Sequence, residues 1–362
     1  MSATGAATGT LFVLPSDVDD VTFASGGNAY DRRMCEVLGL REVTVPGRWP
    51  TPDQASGINL ARVLGDIPDG SVALLDGLVA CGVPQFVVPH ARRLRLAILL
   101  HLPLADEVGL PEERATELDG LERETLHAAA AVIATSHWAA RRAIAHHGLD
   151  PARVHVAPPG TRPAPLATGT DGRLLCLASV TPRKGQDVLV EALAGIDDLG
   201  WTCECVGSVR RDPGYVARVH GLVVRHGLTS RISLTGPLPD AELNDRFGRA
   251  DLLVLPSRGE TYGMVVTEAL ARGVPVLTSD VDALPDTLGQ APDGSVPGML
   301  VPPGDAAALS EALRRYLTDA TLRGRLREAA RERRRLLEDW NSAAQRLAAI
   351  LDRLRGEPSC AA

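Results

Sequence analysis

Lysine is nearly absent from this chain. Among 38 lysines and arginines in 362 residues, only Lys184 is a lysine. The arginines read as a coding bias, and the one lysine marks a candidate position for a compact ammonium that a planar guanidinium does not replace. An excess of basic charge is also missing. The formal net charge is −7, which argues against a nucleic-acid scaffold, since phosphate-backbone binding needs a basic surface. A small anionic ligand needs only a local positive spot and stays open. The six cysteines, at 35, 81, 176, 203, 205 and 360, include no second pair at zinc-site spacing. They read as unlinked thiols in a reducing compartment. The first twenty residues lack a basic start followed by an apolar core, and no apolar run reaches the length of a membrane span. A cytoplasmic protein is expected. No G-x-G-x-x-G follows an early strand, which disfavours an NAD enzyme.

What the chain does have is a repeated rhythm. "TLFVLPSDVDD" (10–20) is a strand breaking into a polar loop, and "SGGNAYDRRMCEVLGL" (25–40) is a glycine turn running into a helix. "SVALLDGLVA" and "PQFVVPH" are short buried segments, and "LRLAILLHLPL" (94–104) is an apolar run that ends on His101. After "TRPAPLATGTDG" the rhythm restarts with "RLLCLASV", "WTCECVG", "RISLTG", "DLLVLPS" and "PVLTSD" as strands between helices. Within "WTCECVG", alternation points Cys203 and Cys205 to one face. Continuous apolar strands alternating with helices indicate parallel sheets covered on both faces. The reading is α/β, with two doubly wound domains facing across a cleft, where ligands bind at the strand carboxyl ends. The expected boundaries are a first Rossmann-like domain over 1–163, a linker over 164–172 and a second Rossmann-like domain over 173–335. A helical tail over 336–362 is expected to pack back on the first domain.

The most informative stretch is "PSRGETYGMVVTEALARG" (256–273). "DLLVLP" is a buried strand and "GMVVTEALARG" a helix, so "SRGETY" is the loop at the strand's carboxyl end. Gly263 permits close backbone approach, and first-turn amides bind diphosphate with the help of the helix field. Two carboxylates, Glu260 and Glu268, cannot attract a phosphate. They can accept hydrogen bonds from hydroxyls on either side of one, which suits a sugar nucleotide. The plainer reading is a capping box from Ser257 to Glu260, with Glu268 in solvent.

This stretch resembles the glutamate-x7-glutamate motif of retaining glycosyltransferases of family 4. "LASVTPRKGQDVLVEAL" (177–193) is similar to that family's phosphate-binding segment, "APPGTRP" to the end of its first domain, and "HLPL" and "SGGN" to its acceptor-side loops. The resemblance implies the GT-B arrangement of two Rossmann-like domains, with the donor bound mainly by the second. It implies that Glu260 contacts the donor sugar, Glu268 the ribose, and the amides of Gly263, Met264 and Val265 the diphosphate. It places Lys184 on the leaving phosphate and His101 near the transferred sugar. Gly26 and Gly27 would let the first loop approach donor phosphate and acceptor. Two departures stand out. The family's arginine five residues before the lysine is Ser179 here, with Arg183 as the candidate substitute, and "VDALPD" carries Asp286 where a Gly-Gly pair and a glutamate are usual.

The implied activity is transfer of a hexose or modified hexose from a nucleoside-diphosphate sugar to a hydroxyl of a small-molecule or natural-product acceptor, without cofactor or metal. Lys184 and helix amides would meet the charge that grows on the diphosphate. "DVDD" (17–20) and "DVD" (280–282) could mimic metal motifs but read more simply as turns. His101 could instead be a structural histidine, and His127, His137, His146 and His147 read as surface or packing residues. Alternatives on the same plan are a sugar-nucleotide epimerase, a phosphorylase, or a protein that binds a sugar nucleotide without turning it over. "ARRLRL" raises a membrane-surface reading, but it runs straight into a buried strand.

Overall fold

The computed structural model describes residues 10–20, 25–107, 109–169 and 172–356. Cys360 and linker residues 170–171 lie outside them. Contacts divide the chain into two compact units. Among the described residues, unit 1 takes those up to Asp19, those of Gly27–Gly160 and those from Trp340, while unit 2 takes those of Thr161–Asp339 with Asp20, Ser25 and Gly26.

Unit 1 is built on a parallel sheet of β1 (Leu11–Pro15), β2 (Arg41–Val45), β3 (Val72–Asp76), β4 (Arg95–Leu100), β5 (Ala131–Ala134) and β6 (Val154–Val156), in the order β2-β1-β3-β4-β5-β6. β1, β3 and β5 are buried at every residue. "SVALLDGLVA" divides into β3 and a one-turn helix, Gly77–Ala80, whose N-cap Asp76 accepts the Leu78 amide. "PQFVVPH" forms the short helix Pro84–Val87 and a 3₁₀ turn. The last helix, Trp340–Gly356, belongs to this unit, and Trp340 meets Tyr30 edge-on at 5.9 Å between ring centroids.

Unit 2 holds β7 (Arg173–Leu177), β8 (Thr202–Val206), β9 (Ile232–Gly236), β10 (Leu252–Leu255), β11 (Val276–Ser279) and β12 (Gly298–Val301), all parallel, in the order β12-β11-β10-β7-β8-β9. Period-two alternation divides β10 between two cores. Leu252 and Val254 join one cluster, with Leu174, Cys176, Cys203 and Cys205, while Leu253 and Leu255 join the other. Both faces are therefore dry, and each fully buried leucine contributes about 1.5–3 kcal/mol relative to exposure. Cys203 and Cys205 do share a face. The Pro- and Gly-rich stretch after Thr161 runs along unit 2, where the Ala167 amide donates to Arg272 and the Thr168 amide to Gly248. No helix among the described residues is long and apolar enough to cross a membrane.

Candidate active site

The strand order of unit 2 reverses between β7 and β10. In a doubly wound sheet, the loops leaving two such strands part, and the crevice between them at the carboxyl edge is where ligands bind. One loop carries Ser179 to Gly185, and the other Pro256 to Gly263.

The two loops are tied together. The Arg258 amide donates to the Arg183 carbonyl at 2.7 Å, and the Arg183 guanidinium donates to the Gly259 carbonyl at 3.0 Å. The Arg258 guanidinium donates to the Pro182 carbonyl at 2.6 Å and grips both oxygens of Asp187, at 3.0 and 3.1 Å. Gly185 turns at φ +69°, and a Cβ there would lie 2.1 Å from the Pro256 carbonyl oxygen. Left-handed backbone and close approach both demand glycine at this position.

At the centre, the Lys184 ammonium donates to Glu260 Oε1, which also accepts from the Ser257 hydroxyl at 3.1 Å. Arg183 stands 3.6 Å from Glu260 Oε2. Glu260 is 6% exposed. Burial works to raise its pKa, but Lys184 and then Arg183 outweigh it and hold the carboxyl below its ordinary value. The Glu260 amide donates to Asp282 Oδ2 at 2.9 Å, and its carbonyl accepts from Ala283 at 3.1 Å. Asp282 adopts φ 52°, a conformation that aspartate tolerates better than most residues.

The capping-box reading fails here. Residues 256–263 are not helical, and Ser257 donates to the Glu260 carboxylate rather than capping an amide. The "DVD" segment is a turn, with Asp282 bracing the Glu260 backbone. Arg183 occupies the place beside Glu260, while the Ser179 carbonyl accepts from Gln186 at 3.0 Å. The second cation of the site therefore comes from the residue next to Lys184.

Gly263 turns at φ +86° into a helix that is shorter than the sequence implies, Met264–Leu270. A Cβ on Gly263 would stand 2.7 Å from Leu284 Cδ2. Met264 and Val265 open the helix, and Val266 and Leu270 are its fully buried anchors. Glu268 lies on this helix, half-buried and outside the Lys184 cluster. Burial raises its pKa against the pull of Arg272 and Arg162. Asp286 lies in the helix Leu284–Leu288.

Gly26 and Gly27 open the helix Gly26–Leu38, which belongs to unit 1 from Gly27 onward. A Cβ on Gly27 would press to 3.1 Å from the His101 ring, so a side chain there would require the imidazole to give by a few tenths of an ångström. His101, just past β4, donates from Nε2 to Asp31 Oδ1 at 2.8 Å. Burial pushes its pKa down, but the Asp31 carboxylate more than compensates and lifts it to about 9. Sequence reasoning missed Arg258, Asp31 and Asp76. Asp31 had one available signal: it shares the buried face of its helix with Tyr30, Met34 and Cys35, where an acid is out of place. Among the described residues, two groups of three imidazole and carboxylate donors have ligand atoms within 4.8 Å of one another, Asp119–His146–His147 and Asp31–Asp76–His101. In each, an imidazole is already bonded to a carboxylate, His146 to Asp119 and His101 to Asp31. His147 is a packing residue bonded to Glu122 at 2.9 Å.

Two doubly wound parallel units, with the acidic motif at the switch point of the second, define the GT-B class of fold. Residues 161–333 match the model described as "Glycosyl transferases group 1", and residues 69–164 match "Glycosyltransferase Family 4". The chain belongs to glycosyltransferase family 4. It is 30% identical over 292 residues to a D-inositol 3-phosphate glycosyltransferase 1 from Catenulispora acidiphila, covering 73% of this chain and 68% of that protein. It is 27% identical over 267 residues to a D-inositol 3-phosphate glycosyltransferase from Jonesia denitrificans, covering 68% of this chain. The match spans 61% of the Jonesia protein's length. The structure of Anabaena Alr3699/HepE in complex with UDP and glucose superposes with a TM-score of 0.72 at 18% identity, covering 95% of this chain and 99% of that one.

Proposed function

We propose that the protein transfers a hexose or modified hexose from a nucleoside-diphosphate sugar to a hydroxyl of a small-molecule acceptor, with retention at the anomeric carbon. The observation that carries this reading is the Lys184–Glu260–Arg183 cluster at the switch point between β7 and β10. In the reaction, the bond from the anomeric carbon to the diphosphate oxygen breaks and its electron pair leaves with the diphosphate. Lys184 and Arg183 meet that charge, aided by the amides of Gly263, Met264 and Val265. The acceptor oxygen bonds to the same face of the anomeric carbon, and its proton passes to the departing diphosphate. Glu260 accepts from hydroxyls of the transferred sugar, Glu268 from the ribose, and His101 steadies the sugar. Gly26 and Gly27 give the first loop room beside donor and acceptor. These positive groups balance the leaving charge without a metal ion.

The domain roles follow: 1–163 serves the acceptor and 173–335 the nucleotide sugar. We place the protein in the cytoplasm, in keeping with its buried, unlinked Cys35, Cys81, Cys176, Cys203 and Cys205. The relatives named for D-inositol 3-phosphate make phosphorylated cyclitols the first acceptors to test, and the neighbour solved with UDP and glucose makes UDP-glucose the first donor. A panel of donors crossed with such acceptors, read by mass spectrometry, tests the proposal. A product heavier than the acceptor by one sugar residue supports it. Donor isomerised without acceptor consumption points to an epimerase, and donor bound but never converted points to a binding protein.

A further inference from the structure

The strand order of unit 1 reverses as well, with β1 lying between β2 and β3. The helix after β1 carries Asp31, β3 ends on Asp76, and His101 follows the neighbouring β4. Donor atoms of all three lie within 4.8 Å of one another. Asp31 is wholly buried, and Asp76 is 4% exposed. Two buried carboxylates this close cannot both be charged cheaply. Asp76 Oδ1 already accepts the Leu78 amide at 2.7 Å, while Asp31 Oδ2 is buried and has no N–H or O–H partner. A proton on Asp76 gives Asp31 that partner. The cluster is then neutral: a carboxylic acid, a carboxylate and an imidazolium.

We propose that Asp31 is the positioning residue for His101, and that Asp76 holds the proton the two acids share. His101 thereby meets the donor sugar as a pinned imidazolium. This rests on the transferase reading only for what His101 touches. The groups that face the ring agree with it. Tyr30, on the same helix as Asp31, meets His101 edge-on at 5.4 Å between centroids, and burial and Asp31 keep its phenol protonated. Burial, and then the charge of Asp31, raise Asp76 to about 7. Gly27 leaves the ring its space.

The test is carbon- and nitrogen-detected NMR of the His101 ring in the full-length protein, assigned by its loss in His101→Gln. The wild-type ring should stay doubly protonated through pH 8 and titrate near 9. A wild-type ring that titrates at about 6.5 overturns the proposal, and this arm needs no variant to fold. In Asp31→Asn the ring should titrate at or below about 6.5, cutting the imidazolium at pH 8 about 30-fold and kcat/KM at that pH with it. Asp76→Asn can still donate to Asp31, so it should leave the ring charged. An Asp31→Asn ring that still titrates near 9, or a stoichiometric divalent metal on the wild type that this substitution removes, overturns the account. The ring titration is independent of transfer. Failure to find any product would sink the transferase reading alone, and an ordinary titration would sink this inference alone.

Discussion

Lys184 and Glu260 hold each other across 76 residues of sequence, and this makes a double-mutant cycle informative. Lys184→Ala leaves a carboxylate with 7% of its side-chain surface exposed, Arg183 at 3.6 Å and the Ser257 hydroxyl at 3.1 Å. Removing one partner of a buried pair typically costs about 3–5 kcal/mol, and the surviving partners put this case near the lower end, about 3 kcal/mol. Loss of the ammonium from the leaving diphosphate should separately lower turnover roughly 10²–10³-fold. Adding Glu260→Gln removes the stranded charge, so most of the stability should return, with a coupling of about 2 kcal/mol. Turnover should not return. The pH sign follows from the depressed pKa of Glu260. Its stabilisation is present above the unfolded carboxyl value of about 4.5 and is lost as pH falls through the lower folded value. The stability gap between wild type and Lys184→Ala should therefore be largest at neutral pH and close in acid. Denaturant unfolding from pH 3 to 8, with turnover on the same samples, reads both effects. Near-wild-type turnover in Lys184→Ala and Lys184→Arg would remove the lysine from catalysis. Recovery of turnover together with stability in the double variant would reduce the pair to a structural one.

Other outcomes follow from neighbouring residues. Glu260→Gln should weaken the nucleotide sugar while largely sparing the nucleoside diphosphate, and Glu268→Gln should weaken both in calorimetric titration; equal loss of both ligands in Glu260→Gln would contradict the assignment. Gly263→Ala should cost about 1–3 kcal/mol through its left-handed backbone and the contact with Leu284, and should raise KM for the donor. Arg258→Met should free the loop carrying Lys184 from Asp187 and Pro182, raising KM for the donor more than it lowers kcat; an unchanged KM would show that the loop holds without it.

Much of this was legible in the sequence, for identifiable reasons. β7 and β10 are central strands buried on both faces, so they read as apolar runs, and the loops at their ends could be named before their geometry was known. β2 and β12 sit at sheet edges and are partly exposed, so neither shows such a run, and both escaped the reading. The contact of Lys184 with Glu260 depends on β10 pairing with β7 rather than with its sequence neighbour β9, which no local pattern encodes. The solitary lysine and the acidic motif therefore pointed to one site without showing that the two ends touch. Asp282 acts through the Glu260 amide, and Arg258 through the Pro182 carbonyl and the Asp187 carboxylate, and their side-chain chemistry alone did not mark them. Asp31 reads as one more charge in "YDRR" until its helix is seen to bury it.

The central claim is that charge on the departing diphosphate is met by Lys184 and its neighbours while the sugar keeps its anomeric configuration. The most direct measurement is anomeric proton NMR of the product formed by wild-type protein in the presence of a chelator, beside Lys184→Ala under the same conditions. The account predicts a glycoside with the donor's configuration from the wild type and a rate lower by roughly 10²–10³-fold from the variant. An inverted product, or a wild-type reaction abolished by the chelator, would contradict it.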